Sequence, residues 1–403
     1  MAASDASDRP YDLVLVGATG FTGGLTADYL AEHGPAGLRW ALVGRNQGKL
    51  EKVRARLAEA HPGRSDLAEL PLLVADATDR EALLGVARQA RVVVTTVGPY
   101  LHHGEPLVAA CAEAGTDYVD LTGEPEFVDR MYTAHHATAA ASGARIVHAC
   151  GFDSIPHDLG AMFTVQQLGA TGPITVRGVV RGGGMVSGGT FHSAMAAMSR
   201  PRQMRQASSE RRKAEGRATD GRSSRAVAGK PHRDSRLGYW LLPLPTLDPF
   251  VVARSGRALS FYGPEFRYSH FAGVKTLPYA AGGAMGVGAL TLAAQVGPLR
   301  KLLLDRMPQG QGPDAAKREK SWFTVDFVGE GQVNGTATTV HTRVSGGDPG
   351  YGETAKMLAE SALCLAFDDN PHTAGQVTTA QAMGDNLLGR LRAAGIAFDV
   401  VTD

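Results

Sequence analysis

Cysteine is scarce in this 403-residue sequence: Cys111, Cys150 and Cys364 lie far apart, with no CxxC or paired Cys/His spacing. That scarcity argues against a disulfide framework and a zinc site, so no metal site is expected, and it fits a reducing cytosol. An excess of one charge is missing too. With 41 Lys+Arg against 40 Asp+Glu, nothing global points to nucleic acid. The opening MAASDASDRP lacks the basic-then-apolar design of a signal peptide and reads as a frayed polar tail. A chain of this length exceeds what one core usually serves, so two domains are expected.

What is present begins with an apolar run that breaks into glycines. Residues 11–16 read as a buried parallel strand and residues 22–33 carry apolar side chains at helical spacing. Between and just inside them lies Gly17-Ala18-Thr19-Gly20-Phe21-Thr22-Gly23. In a dinucleotide-binding βαβ unit the first glycine allows a tight turn and the second lets backbone approach the pyrophosphate. The third lets helix and strand pack closely, with the phosphates at the positive helix N-terminus. The spacing here is GxxGxxG rather than GxGxxG, so the next strand decides. Residues 39–43 form that strand and end in Gly44-Arg45-Asn46, where an NAD-binding chain would carry an acid for the ribose 2′-hydroxyl. No acid is there. Arg45 and Lys49 offer cations for a 2′-phosphate instead, which predicts NADP(H).

The alternation continues, with strands expected at 70–75, 91–97, 117–121 and 144–148 and helices at 49–60, 79–87, 103–115 and 124–141. This is the pattern of an α/β, doubly wound parallel sheet, a Rossmann domain over residues 10–150. Ligands of such sheets bind beyond the strands' carboxyl ends. That rule selects Asp76, near the adenine or else an N-cap, and Val97, Gly98, Pro99 and Tyr100, near the nicotinamide.

After Cys150 the pattern changes, and an α+β second domain is expected over 151–345. It holds a helix at 157–168, a strand at 173–183 and a helix at 188–199. Residues 200–236 carry 12 Lys/Arg against 4 Asp/Glu and read first as a mobile solvated loop, alternatively as a docking surface for an acidic partner or an anionic membrane. Residues 277–299 carry no charge and are long enough to span a bilayer, but they are rich in Gly and Ala. A buried or surface helix beside a greasy pocket is expected there, then peripheral membrane contact. Alternation at 322–328 and 331–344 reads as a hairpin turning at 329–331, and 352–366 as an amphipathic helix. The segment 346–403, with a further helix within 386–398, is expected to pack back on the first domain.

Several blocks together are familiar: GATGFTG at 17–23, LVGR at 42–45, VGPY at 97–100, GTDYVDLTGE at 115–124, CGFDSIPHDLG at 150–160 and YGETAKMLAESAL at 351–363. They resemble the saccharopine dehydrogenase-like oxidoreductases, within them the actinobacterial trans-acting enoyl reductases. The resemblance implies NADP(H) and reduction of a carbon–carbon double bond on a polyketide-derived acyl chain held by a partner synthase or acyl carrier protein. It implies a cytoplasmic enzyme of lipid metabolism; membrane association through 277–299 and a homodimer stay open.

Enoyl reduction needs a hydride at the β-carbon, polarisation of the thioester carbonyl and a proton for the α-carbon. Tyr100, His103 and Asp153 are the catalytic candidates. His102, Glu124, Ser154 and His157 lie close to them in sequence, and Glu124, Asp153 and Ser154 would equally serve as helix caps. Two other readings stand beside this one: reduction of an amino-acid imine, which would need arginines converging on a polycarboxylate, and a non-catalytic lipid-associated nucleotide-binding protein.

Overall fold

The structure, a computed structural model, describes residues 9–183, 188–216, 220–306 and 312–402. Strand and helix alternate through the first part: β1 (Tyr11–Val16), α1 (Phe21–His33), β2 (Trp40–Gly44), α2 (Gln47–Ala60), β3 (Leu72–Val74), α3 (Arg80–Ala87), β4 (Ala90–Thr95), α4 (Tyr100–His103), α5 (Glu105–Ala114), β5 (Asp117–Asp120), α6 (Pro125–Ser142) and β6 (Arg145–Val147). From Leu13 to Val16 β1 is an unbroken apolar run because both of its faces are covered; Leu13, Val14 and Leu15 are wholly buried. Helix starts are set by side chains, with Asn46 accepting from the Lys49 amide and Asp79 from the Ala82 amide. The N-terminal tail is not frayed throughout. Residues 1–8 lie outside the described residues, but Arg9 is buried and its guanidinium donates to the carbonyls of Ala90 and Ala114 and to Thr116 Oγ1.

The chain continues through α7 (Ile155–Leu168), β7 (Ile174–Gly183), α8 (Gly188–Ser199), α9 (Pro201–Glu215), β8 (Ser223–Ala226), β9 (His232–Arg233), β10 (Trp240–Pro243), α10 (Asp248–Ala258), β11 (Glu265–Val274), α11 (Leu277–Gln295), α12 (Gly297–Asp305) and α13 (Ala315–Glu319). It ends in β12 (Trp322–Val333), β13 (Thr336–Gly346), α14 (Gly352–Phe367), β14 (Gly375–Val377), α15 (Thr379–Ala382), α16 (Gly384–Ala393) and β15 (Ala397–Val400).

Two sheets result. The first has seven parallel strands in the order β14-β6-β5-β4-β1-β2-β3, so the strand order reverses between β1 and β4 and leaves a crevice there. The second is mixed, in the order β15-β13-β12-β7-β11-β10-β9 with β8 beside β11; β7 and β11 run parallel and β12 and β13 form an antiparallel hairpin. The C-terminal segment serves both sheets. α14 packs on α1, β1, β4 and β5, β14 extends the parallel sheet beside β6, and β15 edges the second sheet beside β13. Glu360 fastens this arrangement, accepting from the Tyr29 hydroxyl at 2.8 Å and from Arg390 at 3.2 Å.

Two expectations change, and a third, for 277–299, holds as a surface helix but not as one beside the cavity. The basic stretch is built into the fold over its described residues rather than being a loop, because several of its cations face inward. Arg200 pairs with Glu126 at 2.8 Å, Arg211 with Asp129 at 2.6 Å, and Arg222 donates to the carbonyls of Gly256 and Gly263. The hairpin turns at Asn334-Gly335, both with positive φ (50° and 80°), rather than at 329–331. The uncharged 277–299 stretch lies on the surface as α11 and the start of α12, with Tyr279 76% and Leu292 72% exposed. α11 is long and apolar enough to cross a membrane by length and composition, and none of its residues lines the cavity described next.

Candidate functional site

A cavity of about 800 Å³ opens at the carboxyl ends of β1 to β5 and is closed on its far side by the end of β7, the β10–α10 turn, β11 and the residues before α14. Its position follows from topology, at the crevice where strand order reverses.

At one end lies the glycine turn. Gly17, Thr19, Gly20, Phe21, Thr22 and Gly23 line the cavity, and Ala18 is buried beneath them. Gly17 has φ +94°, and a Cβ on Gly23 would stand 2.2 Å from the Gly17 carbonyl oxygen, so helix and strand approach as only glycine permits. α1 starts at this turn with no side-chain cap and no acid in its first turn, which leaves its leading amides for an anion. These residues fit a pyrophosphate.

Beside it, at the end of β2, Arg45 is exposed and forms no hydrogen bond or ion pair with a described residue. Lys49 stands on the first turn of α2 and does not line the cavity. Asp76 is not a helix cap: its Oδ1 accepts from the Thr78 amide and hydroxyl at 2.9 and 2.7 Å, while Asp79 caps α3. Those hydrogen bonds, with the charges of Arg45 and His103, hold the Asp76 carboxyl below the usual carboxylate range. His103 therefore sits at this same end, exposed on the cavity rim.

The middle of the cavity is walled by Val97, Gly98, Pro99 and Tyr100. Glu124 locks this loop, accepting from the Tyr100 and Leu101 amides at 3.0 and 2.8 Å. It stands at the N-cap of α6 but its side chain caps α4 instead. The Tyr100 hydroxyl donates to the Thr95 carbonyl and accepts from the Leu121 amide, both at 3.1 Å, and burial pushes its pKa far up. Both of its hydrogen-bonding roles are filled by main chain.

The far end gathers groups from both sheets. Asp153, on the crossing from β6 to α7, faces the cavity, is hydrogen-bonded to no described residue and caps nothing; the N-cap position of α7 is Ser154, with no side-chain bond. It is partly buried, and desolvation, with the Asp248 charge second, raises its carboxyl to about 7. His157 on α7, Asp248 at the start of α10 and His270 on β11 are all buried in the same wall. Burial pulls both imidazoles down to about 3, so they are neutral, and raises the Asp248 carboxyl. Asp248 and His270 had no sequence signal, since neither belongs to a motif and only the second sheet brings them to His157.

Comparison with known proteins identifies the family. Residues 13–147 match the saccharopine dehydrogenase NADP binding domain family. The whole chain is 38% identical to a Mycobacterium tuberculosis protein named as a candidate trans-acting enoyl reductase, over 98% of each chain. It is 35% identical to the trans-acting enoyl reductase of Mycobacterium bovis, over 97% of this chain and 98% of that one, and 35% identical to that of Mycobacterium leprae, over 97% of each. Among solved structures, apo saccharopine dehydrogenase (L-Glu forming) from Saccharomyces cerevisiae shares the fold, with TM-score 0.55 at 12% identity over 97% of this chain and 100% of that one. The chain belongs to the trans-acting enoyl reductase family and carries the NADP-binding domain of the saccharopine dehydrogenase family.

Proposed function

We propose that this NADP-dependent oxidoreductase reduces the α,β double bond of an acyl thioester presented by a polyketide synthase or its carrier domain. The observation that carries the reading is one continuous cavity, with an anion cradle and a cation at one end and a partly buried carboxyl, raised to about 7, at the other. NADPH, when bound, supplies the hydride for the β-carbon. The turn at 17–23 would hold its pyrophosphate and Arg45 its 2′-phosphate, and the loop 97–100, locked by Glu124, would border its nicotinamide. Asp153 gives its proton to the α-carbon and regains one from solvent, so one hydride and one proton are consumed per bond reduced. Tyr100 serves as wall and His103 as part of the ribose end. Asp76, turned into its own loop, borders that end, and Lys49 adds positive field from outside the cavity.

Among the described residues, the cavity's only Lys or Arg side chains are Arg45 and Arg181, and Arg181 is held by the Tyr239 hydroxyl at 2.6 Å. A substrate with several carboxylates would find no converging cations, which favours an acyl chain over an amino-acid imine. The test is NADPH oxidation with a 2-enoyl thioester, run beside saccharopine with NADP⁺. Turnover of the first alone supports the reading, and turnover of the second alone overturns it.

Replacing Arg45 by glutamine is expected to raise the NADPH dissociation constant roughly 10- to 100-fold, the cost of losing charged hydrogen bonds to a phosphate. NADH binding should change less than about twofold, because no phosphate meets that side chain. Fluorescence titration of both nucleotides checks the contrast.

A further inference from the structure

We propose that His157, Asp248 and His270 form a three-ligand site for a divalent transition-metal ion of the zinc type, with its open position facing the cavity. His157 Nε2 lies 3.4 Å from Asp248 Oδ1, and His270 Nε2 lies 3.7 Å from Asp248 Oδ2. One ligand atom from each residue can be chosen so that all three lie within 4.8 Å of one another. A metal bound at about 2.0–2.1 Å in tetrahedral geometry sets its ligands about 3.4 Å apart, so the separations suit ligands of one ion.

The arrangement is poorly explained without one. All three side chains are buried, yet Asp248 Oδ1, the carboxylate oxygen 3.4 Å from His157 Nε2, has no hydrogen-bond partner. Two neutral imidazoles converge on a carboxylate without a hydrogen bond to it from either ring. The rings are oriented by their surroundings. His270 Nδ1 lies 3.2 Å from the Tyr268 hydroxyl, and the tautomer that donates this proton leaves the Nε2 lone pair facing the cluster. The His157 ring is wedged edge-on between Phe152 and His270, at centroid distances of 5.5 and 4.7 Å. Two imidazoles and one carboxylate suit zinc or its neighbours, whereas calcium and magnesium require more oxygen ligands.

The site's place in the reaction rests on the enoyl reductase reading. The three residues line the substrate end of the cavity with Asp153, where a cation's open position would take the thioester carbonyl oxygen and stabilise charge developing there as the double bond is reduced. Binding of the ion does not depend on that reading.

The test uses the full chain, stripped with a chelator and titrated with Zn²⁺ by calorimetry and with Co²⁺ by visible absorption. One equivalent of saturable Zn²⁺ binding, a Co²⁺ band of four- or five-coordinate character, and at least tenfold weaker binding in Asp248→Asn and His270→Gln are expected. Melting temperature and NADPH affinity serve as controls for folding. No saturable binding, or binding unchanged in folded variants, overturns the proposal; should both variants unfold, the wild-type Co²⁺ spectrum decides alone. Stoichiometric binding without turnover of any enoyl thioester would leave the metal site standing and sink the proposed reaction.

Discussion

Gly23→Ala is expected to abolish measurable NADPH binding at concentrations that saturate the wild type. The added methyl would stand 2.2 Å from the Gly17 carbonyl oxygen and 2.7 Å from Thr96 Oγ1, and the first of these is backbone with no flexible end to move aside. Either α1 retreats from β1 or the Gly17 turn opens, and both displace the amides that face the phosphates. Overpacking of this kind costs about 1–3 kcal/mol of stability. A displacement near 1 Å at a positioned group costs about 100-fold in function. Gly24→Ala is the matched control, since its methyl meets nothing nearer than Arg56 Nη2 at 3.8 Å. That variant should keep full affinity and gain up to about 1 kcal/mol from helix propensity. Nucleotide titration and thermal melts on the pair check the contrast; equal affinities would show that close packing of α1 on β1 does not set the cradle.

The cradle was legible because its signals are local. A doubly buried strand, a glycine turn and a helix follow one another without interruption, and the missing acid after β2 is read at a single position. The hairpin misled for a physical reason. Gly329 and Gly331 looked like a turn, but they lie inside β12, where a Cβ would come within 2.8 Å of Thr164 Cγ2 and of Ala170 Cβ. They mark close approach by α7 and the residues that follow it. The real turn, Asn334-Gly335, was in plain view as a strong hairpin dipeptide.

Other elements had no local signal to read. β14 and β15 are short strands that exist because distant edges, β6 and β13, offer them partners. The inward ion pairs of α9 depend on acids of α6 far earlier in the chain, so composition alone read as solvation. Chemistry divides the same way. Asp153 was visible at a domain crossing, but what raises its carboxyl is desolvation and the Asp248 charge, which only the fold supplies. Asp248 and His270 become a cluster with His157 only once β11 lies beside β7.

Asp153→Asn is expected to lower kcat by about 10²- to 10⁴-fold, the contribution of a positioned acid, with NADPH affinity within about twofold. The amide keeps the shape and polarity of the side chain but has no proton to give. In the wild type the carboxyl titrates at about 7, raised by burial and secondarily by the Asp248 charge. A donor must be protonated, so the rate should be level well below pH 7 and fall about tenfold per pH unit well above it. The variant's residual rate should lack that limb. Because a cation on the neighbouring cluster would offset the Asp248 charge, both profiles are taken at one fixed metal concentration. On substitution, stability should move in the opposite direction to activity. A carboxyl whose folded pKa exceeds its unfolded value stabilises the fold relative to high pH; that advantage is full below the unfolded pKa near 3.8 and is lost as pH rises to about 7. Removing the charge at pH 8 should therefore raise the melting temperature while activity collapses, the combination expected of a group kept for chemistry at a cost to the fold. A variant that loses stability together with activity, or keeps the alkaline limb, would place the proton donor elsewhere.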